Sequence, residues 1–287
     1  MRIPIRINRE RLPAVVRRII PNQADPRRLA GPMDGAVEFE ECVGAIKVDS
    51  AWKTTARDRH PLTDAVILET LGTVSSPAIL EVAISSGSTT LDLLGKLGGR
   101  FSRYYATDRF LDLPYRATPD AGWFYHPQSG EPILRATDWT ITYRDTAGAV
   151  FPLGPLARRS LARAPDQRGP GTIRVSTIHP ELRALAGRDP RITLEAYSIF
   201  DPWPHAPVNM VKVANVLNAK YFTAPEMRSI LATLGQAILP GGNLVITDNR
   251  ESEGVSLFTK TADGDLRLTR EFNQGTFAAR ILTGAGE

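Results

Sequence analysis

The chain has 287 residues, 42% of them hydrophobic and 23% charged, a globular composition with room for one large α/β domain plus appendages or for two small domains. Its 35 basic and 31 acidic residues leave a surplus of four, too small to mark a nucleic-acid binder by itself. A single cysteine, Cys42, excludes an internal disulfide and a cysteine-rich zinc site, and the scattered histidines 60, 126, 179 and 205 show no metal-ligand spacing, so no metal is expected.

From the N-terminus, "MRIPIRINRERLP" contains no apolar core of signal-peptide length, and no uncharged apolar run approaches the ~18 residues of a membrane span. A cytoplasmic protein is expected. Residues 1–58, rich in Arg, Pro and Gly, read as an N-terminal extension. Within it "RLPAVVRRII" puts Leu12, Val15, Val16, Ile19 and Ile20 at helical spacing, with arginines opposite. A short helix laid on the protein's own core is the expected reading. A helix for a membrane surface or a partner is the alternative. "PLTDAVILETLG" (61–72) reads as a helix that Thr63 or Asp64 caps and Gly72 ends. A strand follows at 78–83, then a loop at 84–88, a helix at about 88–97 and a strand "RYYATD" at 103–108.

Between about 109 and 188 the pattern changes to a β-rich insert. Turn signals at Ser129-Gly130 and Ala147-Gly148 predict a small antiparallel unit, and "GPLARRSLARAPDQRGPG" reads as a loose basic loop. The α/β rhythm then resumes. Strands are expected at 191–201 and 208–217, the second continuously apolar, with a helix at about 224–238 and a strand at 243–249 after the "LPGG" turn. A hairpin over Asp263-Gly264 and a last strand in "GTFAARIL" complete the chain. Apolar strands alternating with helices predict an α/β fold. It is a doubly wound, mostly parallel, seven-stranded Rossmann-like sheet with helices on both faces, within a domain spanning 59–287.

In such sheets ligands lie beyond the carboxyl ends of the strands, at the switch point. The loop after the first strand opens a helix whose free N–H groups face that space, so Gly87, Ser88, Thr89 and Thr90 are candidate donors to a carboxylate or ribose. Asp108, some twenty residues on, stands where such folds place an acid for ribose hydroxyls, although a strand-end acid is also an ordinary helix cap. A dinucleotide loop needs Gly-x-Gly-x-x-Gly, and only one of those glycines is present.

Five segments in order, "ILEVAISSGSTTLDLL", "YYATD", "SIFDPWP", "VNMVKVANVLNAKYF" and "LPGGNLVITD", resemble the motifs of class I S-adenosylmethionine-dependent methyltransferases over about residues 60–115 and 190–283. The resemblance implies S-adenosylmethionine as cofactor. It implies that Glu81 orients the loop and the methionine amine, and that Ala83, Ser85 and Gly87 stand at the loop's three glycine positions. Asp108 would bind the ribose hydroxyls, Ser198 and Ile199 would flank the adenine, and Asn215 would lie near the methionine end. Gly241 and Gly242 would form the turn before the fifth strand. Two glycines of the family are thus Ala83 and Ser85 here, and Ser198 replaces an Asp that commonly contacts the adenine amino group. "VANVLNAKYF" and the β-rich insert are similar in plan to chemotaxis-receptor carboxyl methyltransferases.

The chain lacks Asn-Pro-Pro-Tyr, the signature of many amino-group methyltransferases, and its single cysteine argues against cysteine-based base methylation. O-methylation of a small molecule, glycan or lipid precursor is therefore the expected activity. The alternatives are a non-catalytic methyltransferase-like module that binds a protein, and an RNA methyltransferase. Candidates for a base or positioning group are His179, His205 and Tyr221, with Asn215 and Asn218 as hydrogen-bonding guides. Trp203, Trp123, Tyr125 and Trp139 line an acceptor pocket or, alternatively, form the insert's own small core.

Overall fold

A computed structural model describes residues 3–33, 35–49, 51–145, 148–249 and 251–284; Ala147, half of one expected turn, lies outside them. The chain divides into two compact units. One, the α/β unit, comprises Ala56–Arg109 and Pro180–Glu287; the other, the β unit, comprises Met1–Thr55 and Phe110–His179.

The α/β unit is built on seven strands: β1 (Ala78–Val82), β2 (Arg103–Asp108), β3 (Ile192–Ala196), β4 (Val208–Ala214), β5 (Ile238–Asn249), β6 (Glu253–Lys260) and β7 (Leu266–Phe272). They lie in the order β3-β2-β1-β4-β5-β6-β7. Strands β1 to β5 are parallel, and β6 runs antiparallel to both neighbours. The order reverses between β1 and β4, which makes their carboxyl ends the switch point of a doubly wound sheet.

Helices α1 (Pro61–Thr70), α2 (Ser88–Leu97), α3 (Pro180–Arg188), α4 (Ala224–Gln236) and α5 (Phe277–Thr283) complete the unit. Leu80, Val82, Val211, Val213, Leu244 and Ile246 turn one face of the sheet toward Ile230, Leu231 and Leu234 of α4 and Ala278 and Ala279 of α5. Each Leu, Val or Ile among them, fully buried, contributes roughly 1.5–3 kcal/mol. Local signals set the helix limits. Thr223 and Glu226 form a reciprocal capping box at the start of α4, and Gly98, at φ 59°, ends α2 in the left-handed conformation. The turn expected at Gly241-Gly242 lies inside β5, where the register against β4 shifts and Gly241 takes φ 78°; a Cβ on Gly242 would sit 2.9 Å from the carbonyl oxygens of Asn209 and Leu239, so only glycine fits.

Three expectations for this unit change. "GTFAARIL" is α5, not a strand. Thr276 caps it by accepting from the Ala279 N–H, and burial of Ala278, Ala279 and Ile281 follows a helical face. Thr63 and Asp64 do not cap α1. They are buried within its first turn, and the carboxylate of Glu253 on β6 accepts from the N–H groups of Leu62 (3.0 Å) and Thr63 (2.8 Å) instead. The expected all-apolar strand carries a fully buried Lys212 at its centre.

In the β unit, antiparallel strands Asp112–Thr118, Ala121–Tyr125, Pro132–Ala136 and Thr140–Tyr143 are extended by Ile5–Asn8 and Asn22–Gln23 on one side and by Thr172–Ser176 on the other. Residues expected as a separate extension thus share one sheet with the insert. Pro180–Arg188, counted with the insert at the sequence level, belongs to the α/β unit. The stretch read as a loose basic loop contains a helix, Leu153–Leu161, whose buried Gly154, Ala157 and Leu161 fall at helical spacing. The helix expected at 11–20 is a single 3₁₀ turn, Val16–Arg18, pinned by Arg17 Nε to the Leu12 carbonyl and by Asn22 Nδ2 to the carbonyls of Arg17 and Ile20. It does not lie on the core: Val15 is 76% and Ile19 78% exposed.

Candidate functional site

At the carboxyl end of β1 the backbone turns left-handed three times on alternate residues: Ala83 at φ 59°, Ser85 at φ 59° and Gly87 at φ 82°. Ile84 N–H donates to the Thr107 carbonyl (3.0 Å), Gly87 N–H to the Ile84 carbonyl (2.9 Å) and Ser85 N–H to Asp108 Oδ2 (2.8 Å). The loop is therefore clamped to the end of β2 by the acid expected there. Three N–H groups of the loop are thus used within the protein, one of them on the Asp108 carboxylate, and α2, whose first-turn N–H groups have no partner within the helix, begins immediately after it. Among the described residues no side chain caps α2, and neither Ser85 Oγ nor Thr90 Oγ1, both buried, has a hydrogen-bond partner. Gly87 is suited to its φ, and a Cβ there would lie 2.3 Å from the terminal methyl Cδ2 of Leu182 on α3, which would have to move to admit it.

Ala83 and Ser85 adopt the conformation for which glycine is normally chosen, at roughly 1–2 kcal/mol of strain each. Ala83→Gly is expected to raise the urea midpoint of the α/β unit, by a gain of about 0.5–1 kcal/mol after the extra freedom of glycine in the unfolded chain is counted. An unchanged or lowered midpoint would show the strain to be relieved elsewhere.

Tyr197 N–H donates to the Asp108 carbonyl (3.0 Å), which brings Ser198 beside the end of β2. Ser198 Oγ accepts from Phe200 N–H at 3.4 Å. Ile199 is a buried member of the core facing α4. Asn215, at φ 58°, ends β4. Its Oδ1 accepts from Asn249 N–H (2.7 Å) and its Nδ2 lies 3.3 Å from His60 Nε2, so the side chain fastens β5 and α1 at the switch point.

Glu81 has a different surrounding from the one the motif implies. Its carboxylate accepts from Tyr104 O–H (2.6 Å) and from Lys212 Nζ (2.9 Å), within the sheet face under α1. Lys212 also reaches Asp64 Oδ1 (3.4 Å), and Lys96 binds Asp64 Oδ2 at 2.8 Å. Burial by itself would lower the Lys212 pKa, but the carboxylates of Glu81 and Asp64 outweigh it and raise it. Burial pushes the Asp64 carboxyl up against the pull of Lys212, and lifts the Tyr104 phenol well above its ordinary range. His60, which precedes α1, is lowered to about 4, first by burial and then by the nearby Lys212 charge. None of Lys212, Asp64, Tyr104 or His60 was singled out as functional from the sequence. The available signal was a lysine in the middle of an apolar strand, which demands a buried acid on a neighbouring strand.

The three base candidates separate. His205 stacks on Tyr105 (ring centroids 5.0 Å) and pairs with Glu195 (2.9 Å). It lies over Tyr105, within β2, and reaches Glu195, the penultimate residue of β3. His179 is buried against Phe39 (5.5 Å) in the β unit. Tyr221 follows β4, its N–H bonded to the Asn218 carbonyl (3.0 Å), and stays on the carboxyl side of the sheet. Trp203 packs edge-on to Tyr105 and Tyr197 in the α/β core, while Trp123 and Tyr125 join Ala121 and Leu161 in a small core of the β unit. Trp139 is exposed. Cys42 is buried, and burial pushes its thiol up to about 12, so it carries no thiolate at neutral pH. Among the described residues no group of three or more His, Cys, Asp or Glu could hold a metal ion, and no helix is long and apolar enough to cross a membrane.

No protein-family model matches the chain, and no curated protein matches it. Among solved structures it is similar to the N-methyltransferase NodS from Bradyrhizobium japonicum WM9 in complex with S-adenosyl-l-homocysteine. The identity is 14% over 87% of this chain and 84% of NodS, with a TM-score of 0.36. It is similar to CalS10, an amino pentose methyltransferase from Micromonospora echinaspora, at 13% identity over 79% of this chain and 82% of that one, with a TM-score of 0.34. It is also similar to the S-adenosylmethionine-dependent methyltransferase SibL in its apo form, at 17% identity over 66% of this chain, with a TM-score of 0.33; the chain spans 36% of the length of SibL.

Proposed function

We propose that the chain is an S-adenosylmethionine-dependent methyltransferase acting on an oxygen of a small molecule, glycan or lipid precursor. The observation that carries the reading is the loop at residues 83–87, with three alternating left-handed residues followed by a helix start that no described side chain caps, at the switch point of the sheet. The unpartnered hydroxyls of Ser85 and Thr90 fit a polar ligand there. In this reading the N–H groups of the first turn of α2 hold the methionine carboxylate, Asp108 holds the ribose hydroxyls while bracing Ser85, and Ser198 borders the adenine. The methionine end lies toward Asn215, whose side chain and N–H are already engaged, which leaves its carbonyl, held only by a long bond from Asn218 Nδ2 (3.5 Å). Glu81 acts one layer away, fixing β1 through Lys212 and Tyr104. The cofactor supplies an electrophilic methyl group on a sulfonium, and the protein's task is to align the acceptor oxygen with it and exclude water. Of the candidate bases Tyr221 is favoured by its place after β4. An acceptor that is itself a carboxylate needs no base. The lack of an Asn-Pro-Pro-Tyr motif and the buried, protonated Cys42 favour oxygen over nitrogen or a cysteine-dependent route.

Isothermal titration with S-adenosylmethionine and with S-adenosylhomocysteine tests this. Binding to the native chain is expected, weakened about tenfold or more in Asp108→Ala, as for the loss of charge-assisted hydrogen bonds to two hydroxyls. A folded chain that gives no heat with either ligand would leave a methyltransferase-like binding module in place of an enzyme.

A further inference from the structure

The charge of the chain is unevenly shared. The β unit holds 18 Lys and Arg against 13 Asp and Glu, a surplus of five, whereas the α/β unit holds 17 against 18. Exposed apolar side chains are unevenly shared too. Of the ten large ones among the described residues, Val15, Ile19, Val37, Trp139, Phe151, Leu156 and Ile173 belong to the β unit. Two segments combine both features. Residues 11–24, between Glu10 and Asp25, contain three arginines, of which Arg11 pairs with Asp138 (3.0 Å), and present Val15 and Ile19; residues 146–165, between Asp145 and Asp166, also contain three arginines, and present Phe151 (84% exposed) and Leu156 (50%). In the second, the Leu153–Leu161 helix buries Gly154, Ala157 and Leu161 and turns Leu156 and Arg159 outward, an amphipathic element whose apolar residues are not all consumed by its own core.

We infer that the β unit docks on an anionic lipid surface, with Phe151, Leu156, Val15 and Ile19 entering the interface and Arg159 and Arg163 meeting lipid phosphates. Aliphatic and aromatic side chains beside a local surplus of arginines suit a bilayer of negative charge, where apolar insertion and electrostatic attraction add. A nucleic acid would use the arginines and have no use for Val15, Ile19 or Leu156. The inference is independent of the proposed activity, whose loop belongs to the other unit.

Flotation of the full chain with vesicles of phosphatidylcholine alone, and with added phosphatidylserine, tests it. Binding to the anionic vesicles is expected to exceed that to neutral ones by about fivefold or more at low salt. The pairs Phe151→Ser with Leu156→Ser, Val15→Ser with Ile19→Ser, and Arg159→Glu with Arg163→Glu are each expected to lower it by about fivefold. All six residues are exposed, so the urea midpoint is expected to stay put; should one pair fail to fold, the others, on separate segments or of different chemistry, carry the test. Equal binding to neutral and anionic vesicles overturns the inference. So does retention on RNA that the charge reversals abolish and the serine pairs leave intact.

Discussion

Lys212→Met is expected to destabilise the α/β unit by about 3–5 kcal/mol at neutral pH, the loss typical when one partner of a buried ion pair is removed. The native ammonium sits between Glu81 and Asp64 with no solvent access. Methionine fills similar volume but leaves the Glu81 carboxylate with only the Tyr104 hydroxyl, and Asp64 with only Lys96. A buried carboxylate without its cation takes up a proton more readily than the same group in the unfolded chain. The penalty is therefore expected to shrink as pH falls toward 5, and to shrink again in a Lys212→Met, Glu81→Gln double variant, where no charge is stranded on β1. Urea midpoints followed by circular dichroism at pH 7.5 and pH 5 read both effects. A loss under about 1 kcal/mol that does not vary with pH would mean that water reaches Glu81.

The second large effect is acid sensitivity from His60. Its folded pKa is depressed to about 4 by burial and by the Lys212 charge, against an ordinary value of 6.5. Above 6.5 the imidazole is neutral in both states and contributes nothing. Between 6.5 and 4 the unfolded chain binds a proton that the folded chain refuses, so stability falls through that window as pH drops. The 2.5-unit difference corresponds to about 3 kcal/mol. His60→Asn retains a good residue for the position before α1 and has nothing to titrate. The native chain should lose stability relative to this variant between pH 7 and pH 4.5, with the two curves parallel above pH 7. Parallel curves throughout would place His60 in contact with solvent.

The two expectations share a cause. His60, Asn215, Asn249, Glu253 and Thr63 tie the start of α1 to the carboxyl ends of β4 and β5, and Glu81, Lys212 and Asp64 tie the same helix to the strands beneath it. The buried polar groups of this unit hold the floor of the proposed cofactor site rather than lining it. Changes in them are expected to reach cofactor affinity through the position of Asn215 and of the 83–87 loop.

What the sequence alone determined was whatever short-range patterns encode. The succession from β1 through the loop and α2 to β2 was legible because apolar runs, a short loop of small residues and a strand-end acid are local features, and Asp108 does meet the loop, through the Ser85 amide. So were the hairpin at Asp263-Gly264, with Gly264 at φ 98°, and the β character of the insert. The tertiary structure decided what depends on distant partners. Thr276 reads as a strand residue until its capping bond and the burial of Ala278 and Ala279 make a helix. Val15 and Ile19 read as core until no core is found for them. Lys212 looks out of place in an apolar strand until the parallel register sets it opposite Glu81. Periodicity states which residues seek burial; only strand order and register state what meets them, because a buried charge is tolerated by its partner and not by its neighbours in the chain.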